Sequence, residues 1–187
     1  MEVFTKKEVK LRKKELIKKI LDGAVFIYPT DTIYGLGCNA LNKRSVDKIR
    51  SIKGRFAKPF SVIAPSLKWI KEICDEKAYR EVQQHLPGPY TIVVPLKKQD
   101  VVAENVNDGS ETLGIRIPHH WFTTIIQEAG VPVVTTSANR AGQPFMTDLS
   151  NLDRDIEKEV EFIVFEGEKE ARPSKIINVV EGKVVER

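Results

Sequence analysis

Residues 28–37 read Tyr-Pro-Thr-Asp-Thr-Ile-Tyr-Gly-Leu-Gly and directly follow the apolar run at residues 24–27. That run predicts a buried strand. Pro29 ends it, because proline lacks an amide hydrogen and restricts the preceding residue to extended geometry. If the chain beyond Pro29 stayed extended, Thr30, Thr32 and Tyr34 would lie on one side, since side chains alternate along a strand. This row of hydroxyls predicts either a site for a small polar ligand or a polar strand end that leads into a loop.

Length and composition indicate a folded protein with its own core. The 187 residues are 41% hydrophobic and 30% charged, which predicts a single domain over residues 1–187. No apolar run approaches the roughly 20 residues that cross a bilayer. The lysine-rich N-terminus also lacks the apolar core of a secretion signal. Only two cysteines occur, far apart, so we expect no disulfide framework, no membrane association and a cytoplasmic location.

The net charge of +4 is concentrated in a basic segment at residues 6–19. Such a segment could contact RNA. Its apolar residues nevertheless recur at helical spacing, which favours an ordinary amphipathic helix with a solvated basic face. Thr5 and Glu8 form a capping-box pattern before the helix, and Gly23 is a suitable stop after it. We treat RNA contact by this helix as the minor alternative.

Helical and strand-like segments alternate along the rest of the chain. Helices are predicted near residues 44–53, 66–85, 121–130 and 150–158. Strands are predicted at residues 60–64, 91–96, 113–117, 131–136 and 162–165, before a final hairpin at 175–180 and 183–185. Because a late hairpin joins this alternation, we expect an α/β fold with a mixed sheet rather than a purely parallel one.

Several common catalytic motifs are absent or incomplete. There is no P-loop. Residues 35–40 match G-x-G-x-x-A only superficially, since no acidic residue ends the next predicted strand. The three histidines lack metal-ligand spacing, and Ser137 lies in no G-x-S-x-G elbow. We therefore predict no metal site built from protein ligands.

In place of these motifs, the sequence has cationic and hydroxyl side chains at the ends of predicted helices and strands. Lys53, Arg55 and Lys58 lie around Gly54 in a predicted loop, where they could clamp a polyphosphate or merely complement a helix C-terminus. Arg116 lies in an apolar strand and must therefore find an anionic partner or face a cleft. Residues 135–139, Thr-Thr-Ser-Ala-Asn, end another strand, the position where α/β sheets gather ligands. Alternatively, Asn139 could cap a following helix.

Six motifs occur in a fixed order between residues 23 and 178. They are Y-P-T-D-T-x-Y-G-L-G, K-G-R-x-x-K-P, L-P-G-P-Y-T, G-I-R-I-P-x-H, T-S-A-N-x-x-G and P-S-x-I. Together they resemble the YrdC-like domain of threonylcarbamoyl-AMP synthases, in its stand-alone form. The resemblance implies a twisted mixed sheet flanked by helices, with an open basic cleft.

The resemblance also implies a reaction. L-Threonine, bicarbonate or CO2, and ATP would give threonylcarbamoyl-AMP and pyrophosphate, with Mg2+ accompanying ATP. The product would pass to a tRNA threonylcarbamoyltransferase complex that modifies adenosine in tRNA. The implied catalytic residues are Lys53 and Arg55. Those implied for threonine are Thr30, Thr32, Tyr34, Thr135 and Ser174. Those implied for ATP are Lys53, Arg55, Lys58, Arg116, Ser137 and Asn139.

The sequence departs from the family pattern at two places, and two other functions stay open. The loop at residues 53–59 is one residue shorter than the common form, and residues 165–168 match the family only loosely. One alternative is a carbamoyl-adenylate-forming enzyme that uses carbamoyl phosphate, as in hydrogenase-maturation proteins with a similar domain. The other is an RNA-binding module without catalysis, although its 7% aromatic content is low for stacking bases.

Overall fold

Strands and helices alternate along the computed structural model, which describes residues 1–56 and 58–186. The strands are β1 Glu2–Phe4, β2 Phe26–Tyr28, β3 Gly35–Gly37, β4 Ser61–Ile63, β5 Tyr90–Pro95, β6 Thr112–Arg116, β7 Val133–Ser137, β8 Phe162–Val164, β9 Lys175–Asn178 and β10 Lys183–Val185. The α-helices are α1 Lys6–Leu11, α2 Lys13–Asp22, α3 Lys43–Lys53, α4 Leu67–Ile73, α5 Glu76–His85, α6 Glu104–Asn107, α7 Thr123–Ala129 and α8 Arg154–Glu159.

The described strands form one mixed sheet in the order β1-β8-β2-β3-β7-β4-β6-β5-β9-β10. Five neighbouring pairs are antiparallel, namely β2–β3, β3–β7, β4–β7, β5–β6 and β9–β10, whereas β1–β8, β2–β8, β4–β6 and β5–β9 are parallel. The antiparallel β9–β10 hairpin closes one edge. The predicted mixed α/β architecture is therefore confirmed.

The Gly-Leu-Gly of the opening motif is β3, a strand in the middle of the sheet. A Cβ at Gly35 would lie 2.8 Å from the Tyr28 ring, and one at Gly37 would lie 2.6 Å from the carbonyl oxygen of Val134. Glycine is needed at both positions because neighbouring groups occupy the space of a side chain. Residues 35–37 thus form a short strand that joins β2 to β7.

Each face of the sheet carries its own apolar core. Alternation along β2 sends Ile27 to one core and Phe26 and Tyr28 to the other. The first core also receives residues from α3, α4, α5 and α8, and the second receives residues from α1, α2 and α7. Burial on both faces explains why the run before Pro29 is continuously apolar.

The N-terminal region differs in two ways from the predicted single helix. Thr5 and Glu8 form the expected capping box, and Gly23 ends α2 in the left-handed region with φ 101°. The helix is nevertheless interrupted at Arg12, whose amide hydrogen bonds to the carbonyl oxygen of Glu8. In addition, β1 precedes it and pairs with β8, a long-range contact that three residues of sequence do not reveal. None of the helices in residues 1–56 and 58–186 combines the length and hydrophobicity needed for a transmembrane span.

Candidate active site

A cavity of about 120 Å³ opens beside the central strands, and we call it the hydroxyl cavity. Its polar lining consists of Thr30, Tyr34, Ser61, Thr91, Arg116, Thr135, Thr136, Ser137 and Ser174. Its apolar lining includes Ile33, Phe145 and Pro173. Four of the residues implied for threonine, namely Thr30, Tyr34, Thr135 and Ser174, are thus brought together from distant parts of the chain. The cavity offers neutral hydrogen-bonding groups and a single cationic side chain, which suits a small molecule with one carboxylate.

Thr30 shapes the chain instead of continuing a strand. Its hydroxyl donates to the carbonyl oxygen of Ile33 at 2.7 Å and accepts from the amide of Thr32 at 3.1 Å. These local bonds bend residues 31–33, so the expectation of an extended row of hydroxyls is wrong. Thr32 consequently does not line the cavity, and its hydroxyl lies 3.0 Å from that of Thr30.

Arg116 has an acidic partner that the sequence analysis did not assign. Its Nη2 donates to Asp31 Oδ1 at 3.0 Å and to the Thr32 hydroxyl at 3.2 Å. The two charged side chains are 7% and 11% exposed. The other carboxylate oxygen of Asp31 accepts from the amide of His119 at 2.8 Å. The requirement that Arg116 find an anion, together with Asp31 in the opening motif, was the signal that could have identified this pair.

A buried pair of hydroxyls lies on another wall. Ser174 Oγ and Thr91 Oγ1 are 2.9 Å apart, and both residues are buried. Ser174 comes immediately before β9, which runs parallel to β5, and this pairing sets it beside Thr91. Thr91 is the threonine of L-P-G-P-Y-T, so the motif contained it without indicating its role. Nothing in the sequence pointed to Ser61 or Phe145.

Glu166 attaches the irregular segment 165–173 to residues 120–121. The Glu166 carboxylate accepts hydrogen bonds from Trp121 Nε1 at 2.6 Å and Lys169 Nζ at 2.7 Å, and lies 2.9 Å from His120 Nε2. Burial raises the pKa of Glu166, but hydrogen bonds from Lys169, Trp121 and His120 outweigh this effect and lower it overall. The carboxylate therefore stays charged and ties this segment to residues 120–121.

Tyr34 connects the same segment to the cavity wall. Its hydroxyl donates to the carbonyl oxygen of Gly167 at 2.6 Å and accepts from the amide of Glu166 at 3.1 Å. Burial raises the pKa of Tyr34 to about 12, so the phenol remains protonated. Because the hydroxyl is engaged, Tyr34 borders the cavity as a wall group that holds the segment in place.

A second cavity, about 600 Å³ in volume, adjoins the first, and we call it the cationic cleft. Its lining residues are Lys53, Gly54, Arg55, Phe56, Lys58, Ser137, Asn139, Ala141 and Gly142. Arg55 lies against the Phe60 ring, and its Nη2 donates to the carbonyl oxygen of Pro59 at 2.8 Å. Lys58 is exposed at the rim. Three cations around one cleft favour an anion of several charges.

Lys53 ends the helix that was predicted near residues 44–53, and its placement in the polar loop around Gly54 was wrong. It is the last residue of α3 and is buried, and Gly54 follows it in the left-handed region. Its Nζ donates to the carbonyl oxygens of Ser137 and Asn139, each at 2.7 Å, and to Asn139 Oδ1 at 3.0 Å. Burial, and secondarily the charge of Arg55, lowers the pKa of Lys53 to about 7. Lys53 therefore both organises residues 137–139 and presents a titratable amine to the cleft.

Ser137 lines both cavities and marks where they meet. Its hydroxyl donates to Asn139 Oδ1 at 2.6 Å, so the two residues act as a unit with Lys53. Residues 139–148 contain no helix, so the alternative that Asn139 caps one is wrong. Arg116 lines the hydroxyl cavity and is not among the residues of the cationic cleft, which separates it from four other residues implied for ATP, namely Lys53, Arg55, Lys58 and Asn139.

Within residues 1–56 and 58–186, no group of three or more His, Cys, Asp or Glu side chains is arranged to hold a metal ion. The oxygen-rich ligand set that a hard cation such as Mg2+ prefers is therefore not assembled by acidic side chains in this region.

The fold and the two cavities define an α/β protein with adjoining sites for a small polar molecule and an anion. Residues 18–187 match the sequence family Sua5_yciO_yrdC, described as "Telomere recombination". The chain belongs to this Sua5/YciO/YrdC family, as the six motifs predicted.

Relatives with names and solved structures agree with this assignment. A protein of Methanocaldococcus jannaschii, provisionally named threonylcarbamoyl-AMP synthase, is 36% identical over 91% of this chain and 81% of its own length. The Bacillus subtilis threonylcarbamoyl-AMP synthase is 33% identical over 76% of this chain, which spans only 42% of that protein. The crystal structure of Pyrococcus abyssi Sua5 complexed with L-threonine matches 99% of this chain and 56% of its own, with a TM-score of 0.85 and 27% identity.

Proposed function

We propose that this protein is a threonylcarbamoyl-AMP synthase, which forms threonylcarbamoyl-AMP and pyrophosphate from L-threonine, bicarbonate or CO2, and ATP. The observation that carries the proposal is the junction of the hydroxyl cavity and the cationic cleft at Ser137. A small cavity with one buried arginine fits an amino acid, and the larger adjoining cleft with three cations fits a nucleoside triphosphate. The names of the relatives point to the same reaction.

The hydroxyl cavity would hold L-threonine. Arg116 offers a cationic group for the carboxylate, because its pairing with Asp31 fixes the guanidinium at the cavity wall. Ser174 and Thr91 offer hydroxyls that can exchange their mutual hydrogen bond for bonds to the substrate. Thr30 and Thr135 complete the polar lining, while Thr32 acts indirectly by holding Arg116.

The cationic cleft would hold the ATP phosphates. Lys53, Arg55 and Lys58 supply positive charge, and Asn139 and Ser137 supply neutral polar groups. Mg2+ would enter with ATP and be carried mainly by the phosphate oxygens, since the described residues offer no acidic cluster for it.

The chemistry requires positioning and charge stabilisation more than covalent help from the protein. The nitrogen of threonine, as the neutral amine, bonds to the carbon of CO2 and releases one proton to solvent, which gives a carbamate. A carbamate oxygen then attacks the α-phosphate, the bond to the β-phosphate breaks, and pyrophosphate leaves with its electron pair. Lys53 and Arg55 would stabilise the negative charge that shifts onto the leaving pyrophosphate.

The product would pass to a tRNA threonylcarbamoyltransferase complex in the cytoplasm. The two cysteines are free and buried, as expected for a reducing compartment. The alternative function is direct RNA contact by the basic helices α1 and α2. Carboxylates neutralise part of that surface, since Arg12, Lys13 and Lys19 form ion pairs. This compensation favours the enzyme over an RNA-binding module.

The deciding experiment is mass spectrometry of a reaction that contains the purified chain, L-threonine, bicarbonate, ATP and Mg2+. Single-omission reactions are the controls. We expect a threonylcarbamoyl-AMP peak only when every component is present. Nucleotide cleavage that instead requires carbamoyl phosphate would indicate a carbamoyl-adenylate-forming enzyme. Salt-sensitive RNA binding without any turnover would indicate the RNA-binding module.

A further inference from the structure

Arg50 is a buried arginine directly behind the cationic cleft. It lies on α3, one turn before Lys53, and its side chain is only 6% exposed. Its ion-pair partner is Asp108, whose Oδ1 lies 2.7 Å from Nη2. A buried charge is costly unless it is paired and fully hydrogen-bonded, so the remaining partners of this guanidinium show what it does.

Those partners are mainly backbone carbonyls of the loop that carries Arg55 and Lys58. Arg50 Nη1 points at the carbonyl oxygens of Arg55 and Phe56, each at 3.1 Å, and of Lys58 at 3.2 Å. On the opposite side, Nε donates to the carbonyl oxygen of Asn105 at 2.7 Å. The guanidinium also lies over the Phe60 ring, at 4.8 Å from its centroid. One planar group thus joins the loop to the turn around α6.

These contacts define the shape of a loop that has little regular structure of its own. The described residues between Gly54 and Phe60 form neither helix nor strand. The backbone amides of Gly54 and Arg55 bond back to α3, and that of Phe60 bonds to the carbonyl oxygen of Val106. Between these backbone hydrogen bonds, the Arg50 guanidinium binds the carbonyl oxygens on the inner side of the loop. Arg55, Phe56 and Lys58 line the cleft on its other side.

We infer that Arg50 is a positioning residue that holds the 54–60 loop so that Arg55 and Lys58 face a bound polyphosphate. It does not line the cleft itself. A lysine at this position would keep the charge but lose the planar fork that reaches several carbonyls at once. The inference rests on the proposed assignment of the cationic cleft to ATP.

The test compares Arg50→Lys with Arg44→Lys, the same change at an exposed position of the same helix. Calorimetry gives the Kd of Mg·ATP and of L-threonine, and hydrogen exchange reports on the amides of Gly54, Arg55 and Phe60. For Arg50→Lys we expect at least about tenfold weaker ATP binding, faster exchange at these amides, and threonine binding within about twofold of wild type. Arg44→Lys should match wild type in every measurement.

Asp108→Asn provides a milder variant if Arg50→Lys does not fold. Asp108 has φ 54°, a conformation that asparagine also adopts readily, so the backbone is not strained. Loss of the carboxylate should loosen the Arg50 anchor and weaken ATP binding about threefold, with threonine binding unchanged. Wild-type ATP affinity in both Arg50→Lys and Asp108→Asn, or in Asp108→Asn alone if Arg50→Lys is unfolded, would overturn the inference. Absence of ATP binding by the wild-type protein would instead overturn the proposed function.

Discussion

The hydroxyl cavity and the cationic cleft are lined by different kinds of secondary-structure element. The cavity lies against the sheet, and its hydroxyls come from strand residues or from segments directly attached to strands. The cleft lies between the end of α3, an irregular loop and the turn after β7. The hydroxyl cavity thus takes its polar groups from a hydrogen-bonded sheet, whereas the cationic cleft takes Arg55 and Lys58 from an irregular loop that the buried Arg50 contacts.

Lys53→Ala is the strongest test of the comparison between the two cavities, because we expect it to have the largest effect. Removal of a donor that stabilises developing charge costs about 100-fold to 1,000-fold in turnover. The carbonyl oxygens of Ser137 and Asn139 also lose their donor, so the free energy of unfolding should fall by about 1–3 kcal/mol. Steady-state rates and urea unfolding measure the two effects.

Arg55→Ala separates catalysis from stability in the same cleft. Arg55 is only half-buried, so turnover should fall while the free energy of unfolding stays within about 0.5 kcal/mol of wild type. Near-normal product formation in both Lys53→Ala and Arg55→Ala would rule out the cleft as the site of phosphate transfer.

Ser174→Ala tests the hydroxyl cavity. Deletion of one hydrogen-bonding group should weaken threonine binding about tenfold, because about 1.4 kcal/mol corresponds to that factor. The Kd of Mg·ATP should not change, since Ser174 is not part of the cationic cleft. Calorimetry with each ligand measures both values. Thr124→Val, at an exposed helix position, is the control, and an equal loss for both ligands in Ser174→Ala would contradict separate cavities.

The pH dependence of ATP binding provides a further distinction. Bound phosphates favour the charged form of Lys53, whose pKa of about 7 lies well below the usual lysine value. ATP binding should therefore raise the pKa of Lys53 and take up protons. The affinity for ATP should weaken severalfold between pH 7 and pH 8, because free Lys53 loses its proton over this range. Calorimetry in buffers of different ionisation enthalpy measures the uptake. Lys53→Arg should abolish it and Lys58→Arg should not, whereas equal uptake in wild type and Lys53→Arg would assign the proton to another group.

Glu166→Gln should have the smallest effect. The neutral amide keeps the shape of the side chain but weakens three charge-assisted contacts, to His120, Trp121 and Lys169. The segment that leads to Pro173 and Ser174 should loosen, so we expect about threefold weaker threonine binding with ATP binding unchanged. Isothermal titrations of Glu168→Gln, two residues away and exposed, give the matched control. If both variants bind threonine equally well, Glu166 does not hold the cavity wall.

Much of the fold followed from local patterns in the chain. The predicted strands at residues 91–96 and 131–136 correspond to β5 and β7, and the final hairpin is present as β9 and β10. The capping box at Thr5 and the stop at Gly23 were also predicted correctly. By contrast, β1 has three residues and depends on pairing with β8. Short strands carry too few residues for a period-two pattern to stand out.

The sequence predicted only part of the candidate active site. Motifs pointed to most of the cavity residues, and the family resemblance divided them into one set for threonine and one set for ATP. The sequence did not indicate that Arg116 lies in the hydroxyl cavity, where the register of β6 against β4 and the pairing with Asp31 set it. The predicted helix at residues 44–53 does end at Lys53, but the sequence did not indicate that Lys53 is buried there and not exposed on a polar loop. Arg50 carried no signal at all, because one arginine on a helix resembles any other until its partners are known.

The sequence by itself determined the alternation of helices and strands, the ends of several elements and the family, since these depend on local periodicity, capping residues and ordered motifs. The tertiary structure alone decided which hydroxyls share a cavity, that Ser137 lies between two compartments, and that Arg50 holds a loop. The physical reason is that such contacts join residues far apart in the chain. Their burial, hydrogen bonds and pKa shifts exist only once the sheet has brought them together.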